Sequence, residues 1–107
     1  MTKADAWKNR KCVCDYWLFA DQLRIACKDF KLKDSYSVRF YFAPPKSYGN
    51  KKRDDIIGMP HRLKPDIDNL IKSIQDILRK GDDQEIFSVN SMKVWGESDC
   101  IVIENRI

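Results

Sequence analysis

Two aspartates that lie two residues apart are the first feature of this sequence with the types and spacing for chemistry. Asp66 and Asp68 stand at the start of a predicted helix. Hard divalent cations such as Mg2+ prefer oxygen ligands and take one or two protein carboxylates, keeping other positions for water and phosphate. A cation held in this way activates water and stabilises the leaving oxygen of a phosphodiester. The same two acids could instead only stabilise the N-terminus of the helix.

Charged residues further along the chain favour the catalytic alternative. Lys72 follows Asp68 by four residues, on the same helical face, where its ammonium could reach a phosphate or form an ordinary salt bridge. Asp82 and Asp83 come directly after the helix and could supply a third ligand, although aspartate is also a common turn residue. Two readings of each residue therefore stay open.

A basic segment precedes the acids. Cations of this kind suit the phosphate backbone of nucleic acid, or they form a solvated surface. The candidate DNA-binding residues are Lys46, Lys51, Lys52, Arg53, Arg62 and Lys64. Acids that bind metal beside cations that bind phosphate are the two components that phosphodiester hydrolysis requires.

Hydrophobic periodicity predicts the elements that position these residues. Apolar residues recur at helical spacing in two segments and alternate in three others, with a polar stretch between them. The prediction is a helix over 15–29, a strand over 37–42, a long loop over 46–64, a helix over 65–80, and strands over 86–95 and 100–104.

The last two strands are predicted to form a hairpin through the turn at 96–99. The apolar residues of the first of them change phase, which a β-bulge near Asn90 would reconcile. The order of elements predicts an α/β (α+β) fold of two layers, with helices packed on one small mixed sheet.

Length and composition restrict the class of protein. The 107 residues suit a single domain over 1–107, and no apolar run is long enough for a membrane span or a signal peptide, so a cytoplasmic location is expected. In that compartment the four cysteines should stay reduced, with Cys27 on an apolar helix face. Their spacing does not match a structural zinc site. His61, the one histidine, has no evident partner for nucleophilic catalysis.

The segment Lys64-Pro65-Asp66-Ile67-Asp68-Asn69-Leu70-Ile71-Lys72, followed after the helix by Asp82-Asp83-Gln84-Glu85-Ile86, resembles the core of RusA-type crossover junction endodeoxyribonucleases. The resemblance extends to Pro45-Lys46-Ser47-Tyr48, to Trp7-Lys8-Asn9-Arg10 and to Lys93-Val94-Trp95-Gly96. It thus covers nearly the whole chain.

The resemblance implies a homodimeric, Mg2+- or Mn2+-dependent nuclease of phage or prophage origin. Such a protein resolves four-way (Holliday) junctions in DNA recombination and repair. Carried over position by position, the catalytic and metal-binding aspartates are Asp66, Asp68 and Asp83, and the functional lysine is Lys72. A shift of one residue would select Asp82 instead of Asp83.

The chain departs from the family pattern at its start, because family members generally carry an extra strand and a proline-rich basic segment before the stretch that Trp7 begins.

Two alternatives to a nuclease remain: a basic phage DNA-binding protein without catalysis, and a small interaction protein whose acids only cap a helix. Three acids that face phosphate favour the nuclease, since a protein that only binds DNA gains nothing from them.

Overall fold

The computed structural model describes the backbone of residues 11–15 and 19–106, and the side chains of residues 23–106. The described elements, in chain order, are β1 (Lys11–Asp15), α1 (Phe19–Ala26), β2 (Ser35–Phe42), α2 (Asn50–Ile56), α3 (Ile67–Leu78), a 3-10 helix (Asp83–Glu85), β3 (Ser88–Trp95) and β4 (Cys100–Asn105). They confirm the predicted α+β class, with helices on a small mixed sheet.

The strands of this sheet lie in the order β1-β4-β2-β3. β4 is antiparallel to both of its neighbours, whereas β2 and β3 are parallel. Parallel neighbours need a crossover connection, and α3 lies within it. The sheet and α3 thus form a β-α-β unit that places the two ends of α3 at opposite ends of β2 and β3.

The predicted hairpin between the last two strands is wrong, because β2 lies between β3 and β4. The 96–99 turn instead passes over the end of β2. The Gly96 N–H donates to the Phe42 carbonyl over 2.9 Å, and the Asp99 carboxylate accepts a 2.7 Å hydrogen bond from the Ala43 N–H. Periodicity reports which side of a strand is buried but not which strand lies beside it.

The predicted bulge near Asn90 is also wrong. β3 pairs with β2 residue for residue, from Ser88 opposite Ser35 to Trp95 opposite Phe42. The change of phase arises because Met92 stays 47% exposed on a strand at the edge of the described sheet.

Two further boundaries differ from the sequence prediction. The helix expected over 15–29 is α1, Phe19–Ala26, preceded by β1, which ends at Asp15. The segment expected as a loop over 46–64 contains α2. This short helix buries none of its residues, so it has no apolar stripe for periodicity to detect.

The core lies between one face of the sheet and the helices α1 and α3. Alternate residues of β2 are buried together with members of β4 and of both helices; the fully buried side chains are Leu23, Leu32, Tyr36, Val38, Phe40, Ile74, Ile101 and Ile103. The buried Tyr36 hydroxyl accepts a 3.0 Å hydrogen bond from the Gln75 amide, which ties α3 to β2.

Cys27 belongs to this core but is joined in a disulfide, so the prediction that the cysteines stay reduced is wrong here. Its partner lies outside the described side chains. Among the described residues, no helix has the length and apolar character needed to cross a bilayer.

Candidate active site

The candidate acids lie at the two ends of α3. Asp66 is its N-cap residue and Asp68 lies in its first turn, whereas Asp83 opens the 3-10 helix that follows it. With 12 residues and a rise of 1.5 Å per residue, α3 is about 18 Å long. One chain therefore holds two carboxylates at one end of the helix and the third candidate at the other.

At the N-terminal end, Asp66 occupies the cap position without capping. Its backbone is extended, with φ −69° and ψ 143°, and its side chain forms no capping hydrogen bond. The helix begins at Ile67, so Asp68 is already helical, and both acids are exposed. Among the described residues neither carboxylate has an ion pair, which leaves both open to an external cation.

Lys93 of β3 fixes the segment that enters this end. Its Nζ donates to the Pro65 carbonyl over 2.6 Å and also to the Leu63 carbonyl. Two backbone oxygens of the approach to Asp66 are thus tied to a strand of the sheet, because one ammonium group can donate several hydrogen bonds. Lys93 therefore helps to hold the acids at the carboxyl end of β3.

His61 packs behind the same segment. Its ring stacks on Phe42, with centroids 4.2 Å apart, and meets Trp95 edge-on at 4.5 Å. Burial lowers the pKa of this histidine, and the nearby charge of Lys93 lowers it further. Nδ1 is buried without a hydrogen-bond partner. The structure supports a packing role for His61 rather than a nucleophilic pair.

At the C-terminal end of α3, Arg79 organises the acids. Arg79 is only 9% exposed, although it is charged. Its guanidinium lies 2.9 Å from the carboxylates of both Asp34 and Asp82, and 3.6 Å from that of Glu85. It also donates to the carbonyls of Leu32 and Asp82. These contacts raise the pKa of Arg79, the hydrogen bond to Asp82 contributing most.

This network distinguishes the two neighbouring aspartates that the sequence left open. Asp82 is held by Arg79 through both its carboxylate and its carbonyl. The Asp83 side chain is exposed and, within the described part of the chain, accepts no hydrogen bond. Of the two, Asp83 is the carboxylate available to a cation.

The remaining predicted residues are all on the surface or close to it. Lys72 is exposed on α3, one turn beyond Asp68. Three of the basic residues, Lys51, Lys52 and Arg53, belong to α2, and the Lys52 ammonium lies 4.1 Å from the centre of the Tyr48 ring. The others flank that helix on both sides: Lys46, Arg62 and Lys64.

The described residues of one chain do not bring three His, Cys, Asp or Glu side chains close enough to hold a metal ion. Asp66 and Asp68 still fit part of a Mg2+ or Mn2+ site, since these ions accept one or two carboxylates and complete their shell with water and phosphate. A third protein carboxylate would have to come from outside this end of the molecule.

Sequence reasoning overlooked the roles of Lys93 and Arg79. Lys93 lies on the same face of β3 as half-buried Val89 and Trp95. A lysine on the buried side of a strand is a signal that its ammonium has a specific hydrogen-bond or ion-pair partner. For Arg79 the signal was the acid three residues later, at a spacing that allows an ion pair. Asp34 could not be found in this way, because it pairs with Arg79 across 45 residues of sequence.

Comparison with known proteins gives a match to a family model. No curated protein and no solved structure matches the chain. The model of the family described as Endodeoxyribonuclease RusA matches residues 2–105, which is nearly the whole sequence. The match includes both ends of α3, the basic residues around α2, and β3. The chain belongs to the RusA family of endodeoxyribonucleases, a family of Holliday-junction-resolving hydrolases.

Proposed function

We propose that this protein is a metal-dependent, structure-selective endonuclease that resolves four-way DNA junctions. It would act in recombination and repair in the cytoplasm, and be of phage or prophage origin. The observation that supports this best is Asp66, which holds a cap position without capping the helix, beside an exposed Asp68. The interaction-protein alternative needs this acid to cap, and it does not.

Asp66 and Asp68 would hold Mg2+ or Mn2+, which supplies activation of water and charge stabilisation at the scissile phosphate. Lys72, one turn further along α3, would neutralise charge that develops on that phosphate. Lys93 would keep the approach to the acids fixed through the two carbonyls that it binds. The cations on and around α2 would hold the DNA backbone.

The third carboxylate supports a homodimer. Asp83 is separated from Asp66 by the length of α3, about 18 Å, so one copy cannot close the site. A two-fold axis that sets the α3 helices of two copies antiparallel would bring the partner's Asp83 toward Asp66 and Asp68. Closed two-fold dimers are the commonest soluble assemblies, and such a dimer carries two equivalent sites for two opposed cuts.

The test is cleavage of a synthetic four-way junction with and without Mg2+ or Mn2+, beside a linear duplex of matched sequence. We expect paired nicks in the junction only when the metal is present, and an intact duplex. Binding of the junction without cleavage under any of these conditions would support the non-catalytic DNA-binding protein instead.

Assembly is tested with mixed dimers of wild-type and Asp68→Asn chains. These should nick one strand and fail to resolve the junction. Sedimentation that shows a monomer at micromolar concentration, both alone and on the junction, would contradict the dimer.

A further inference from the structure

A basic groove lies beside the C-terminal end of α3, away from the acids Asp66 and Asp68. It measures about 470 Å³ and is lined by Lys31, Leu32, Lys33, Asp34, Leu78, Arg79, Lys80 and Asp82. The sequence predicted DNA contacts only between residues 46 and 64, so none of the groove lysines was among them. This surface therefore needs an explanation of its own.

Four cations and two carboxylates line the groove, which leaves its lining with a net charge of +2. Asp34 and Asp82 each lie 2.9 Å from the Arg79 guanidinium. The three lysines of the groove are exposed, and among the described residues they have no ion pair. The excess positive charge of the groove is therefore available to an anion from solution.

The backbone of the segment that carries two of these lysines is tied to β4 by hydrogen bonds. Buried Asn105 accepts a 2.9 Å hydrogen bond from the Lys33 N–H and donates to the Lys31 carbonyl over 3.0 Å. Between them Leu32 is buried, and its carbonyl accepts a hydrogen bond from Arg79. These bonds hold the backbone beneath both exposed lysines, so the segment itself needs little further ordering when they bind a ligand.

We propose that the groove formed by Lys31, Lys33 and Lys80 binds the phosphate backbone of the DNA substrate. The inference rests on the proposed function. The groove shares Asp82 with the 3-10 turn that presents Asp83, so a strand running along it passes the acid at this end. A polyanion fits the groove better than a single small anion, since the groove measures about 470 Å³ and presents three exposed lysines that form no ion pair among the described residues.

Substitution by glutamine tests the proposal in the full chain, with Lys31, Lys33 and Lys80 changed one at a time and together. The matched control is Lys28→Gln, which removes the same charge from an exposed lysine just after α1 that does not line the groove. Binding to the four-way junction and to linear duplex is measured without divalent metal, at several salt concentrations. Thermal unfolding checks that each variant folds as the wild type does.

Each groove substitution should weaken binding and reduce the slope of log affinity against log salt on duplex DNA by roughly 0.9, with a larger loss in the triple variant. Lys28→Gln should keep the wild-type slope. A wild-type slope in the triple variant, or an equal loss in Lys28→Gln, would overturn the groove while leaving the nuclease intact. Wild-type protein that binds no DNA would overturn the proposed function and this inference together.

Discussion

The two ends of α3 carry the same residue type in opposite situations. At the N-terminal end Asp66 and Asp68 are exposed, and among the described residues no cation of the chain neutralises them. At the C-terminal end Asp34 and Asp82 are held by the buried Arg79. Whether an aspartate is held in an ion pair or is open to an external cation therefore depends on whether the fold places a cation of the chain beside it. Sequence position alone does not show this.

Carboxylates that are left without a cation cost free energy, and this cost points to function. Exposed carboxylates close together repel one another and gain nothing from packing, although the helix dipole offsets part of the repulsion. Arg79 offsets part of that cost where the acids serve the fold. Asp66 and Asp68 keep it, as expected for groups that bind an external cation.

The largest expected effect is the loss of cleavage in Asp66→Asn and Asp68→Asn. If these residues bind the metal directly, each variant should cut four-way junctions more than about 100-fold more slowly, because even indirect partners of metal ligands cost 10- to 100-fold. Junction binding without metal should persist or tighten, since a negative charge near phosphate is gone. Single-turnover cleavage and gel-shift titration measure the two quantities. Normal cleavage by both variants would show that the catalytic metal does not bind at this end of α3.

The C-terminal end allows a sharper test with neighbouring residues and the same substitution. Asp83→Asn should lose cleavage to a similar degree and keep its stability within about 0.5 kcal/mol, because its carboxylate has no partner among the described residues. Asp82→Asn should keep most of its cleavage. It should lose about 0.5–1 kcal/mol of unfolding free energy, a modest figure because Asp82 is largely exposed despite its contact with Arg79.

Urea unfolding and junction cleavage, measured on both proteins, separate these outcomes. The opposite pattern, with cleavage lost in Asp82→Asn and kept in Asp83→Asn, would show that the ion pair with Arg79 opens in the complex and that Asp82 is the ligand.

Substitution of Lys72 should have a smaller effect, restricted to the rate of cleavage. Lys72→Ala should cut about 100-fold more slowly yet bind junctions nearly as well as wild type, because one charge aimed at a developing anion contributes mainly to the transition state. Lys72→Arg should rescue only in part, since a guanidinium differs in shape and reach. Lys28→Ala, at an exposed lysine outside α3, is the control. Equal losses in binding and cleavage would make Lys72 an ordinary backbone contact.

Local patterns in the sequence predicted the parts of the fold that depend on local order. The apolar arc of α3 and the alternation of β2 identified both elements to within two residues, and placed Asp66 and Asp68 at a helix start. Sheet order was not predictable, because the parallel pairing of β2 with β3 depends on contacts across some 50 residues. α2 was missed since it buries nothing.

The candidate site was predictable in its residue types but not in its geometry. Spacing suggested Asp66, Asp68 and a third acid, yet it could not show that α3, about 18 Å long, separates the third acid from the other two. Nor could it show that Arg79 takes Asp82, because arginine on a helix is normally exposed. The burial of Arg79 follows from Asp34, which only the fold brings near.

The smallest expected effect concerns His61, which packs behind the N-terminal end of α3. Its buried Nδ1 has no partner, and an unsatisfied buried polar atom costs about 1–3 kcal/mol. His61→Phe keeps an aromatic ring between Phe42 and Trp95 and should raise the unfolding free energy by about 1 kcal/mol at neutral pH.

The pH dependence identifies the cause of that gain. Burial lowers the pKa of His61 in the folded state, so below about pH 6.5 the unfolded chain binds more protons than the folded one. Wild-type stability must therefore fall as the pH drops through that region, whereas His61→Phe lacks this contribution. Urea unfolding from pH 5 to 8 should show the advantage of the variant growing toward acid pH. The assignment is direct because the chain contains a single histidine. Parallel curves for the two proteins would mean that His61 is protonated as readily in the folded protein as in the unfolded chain.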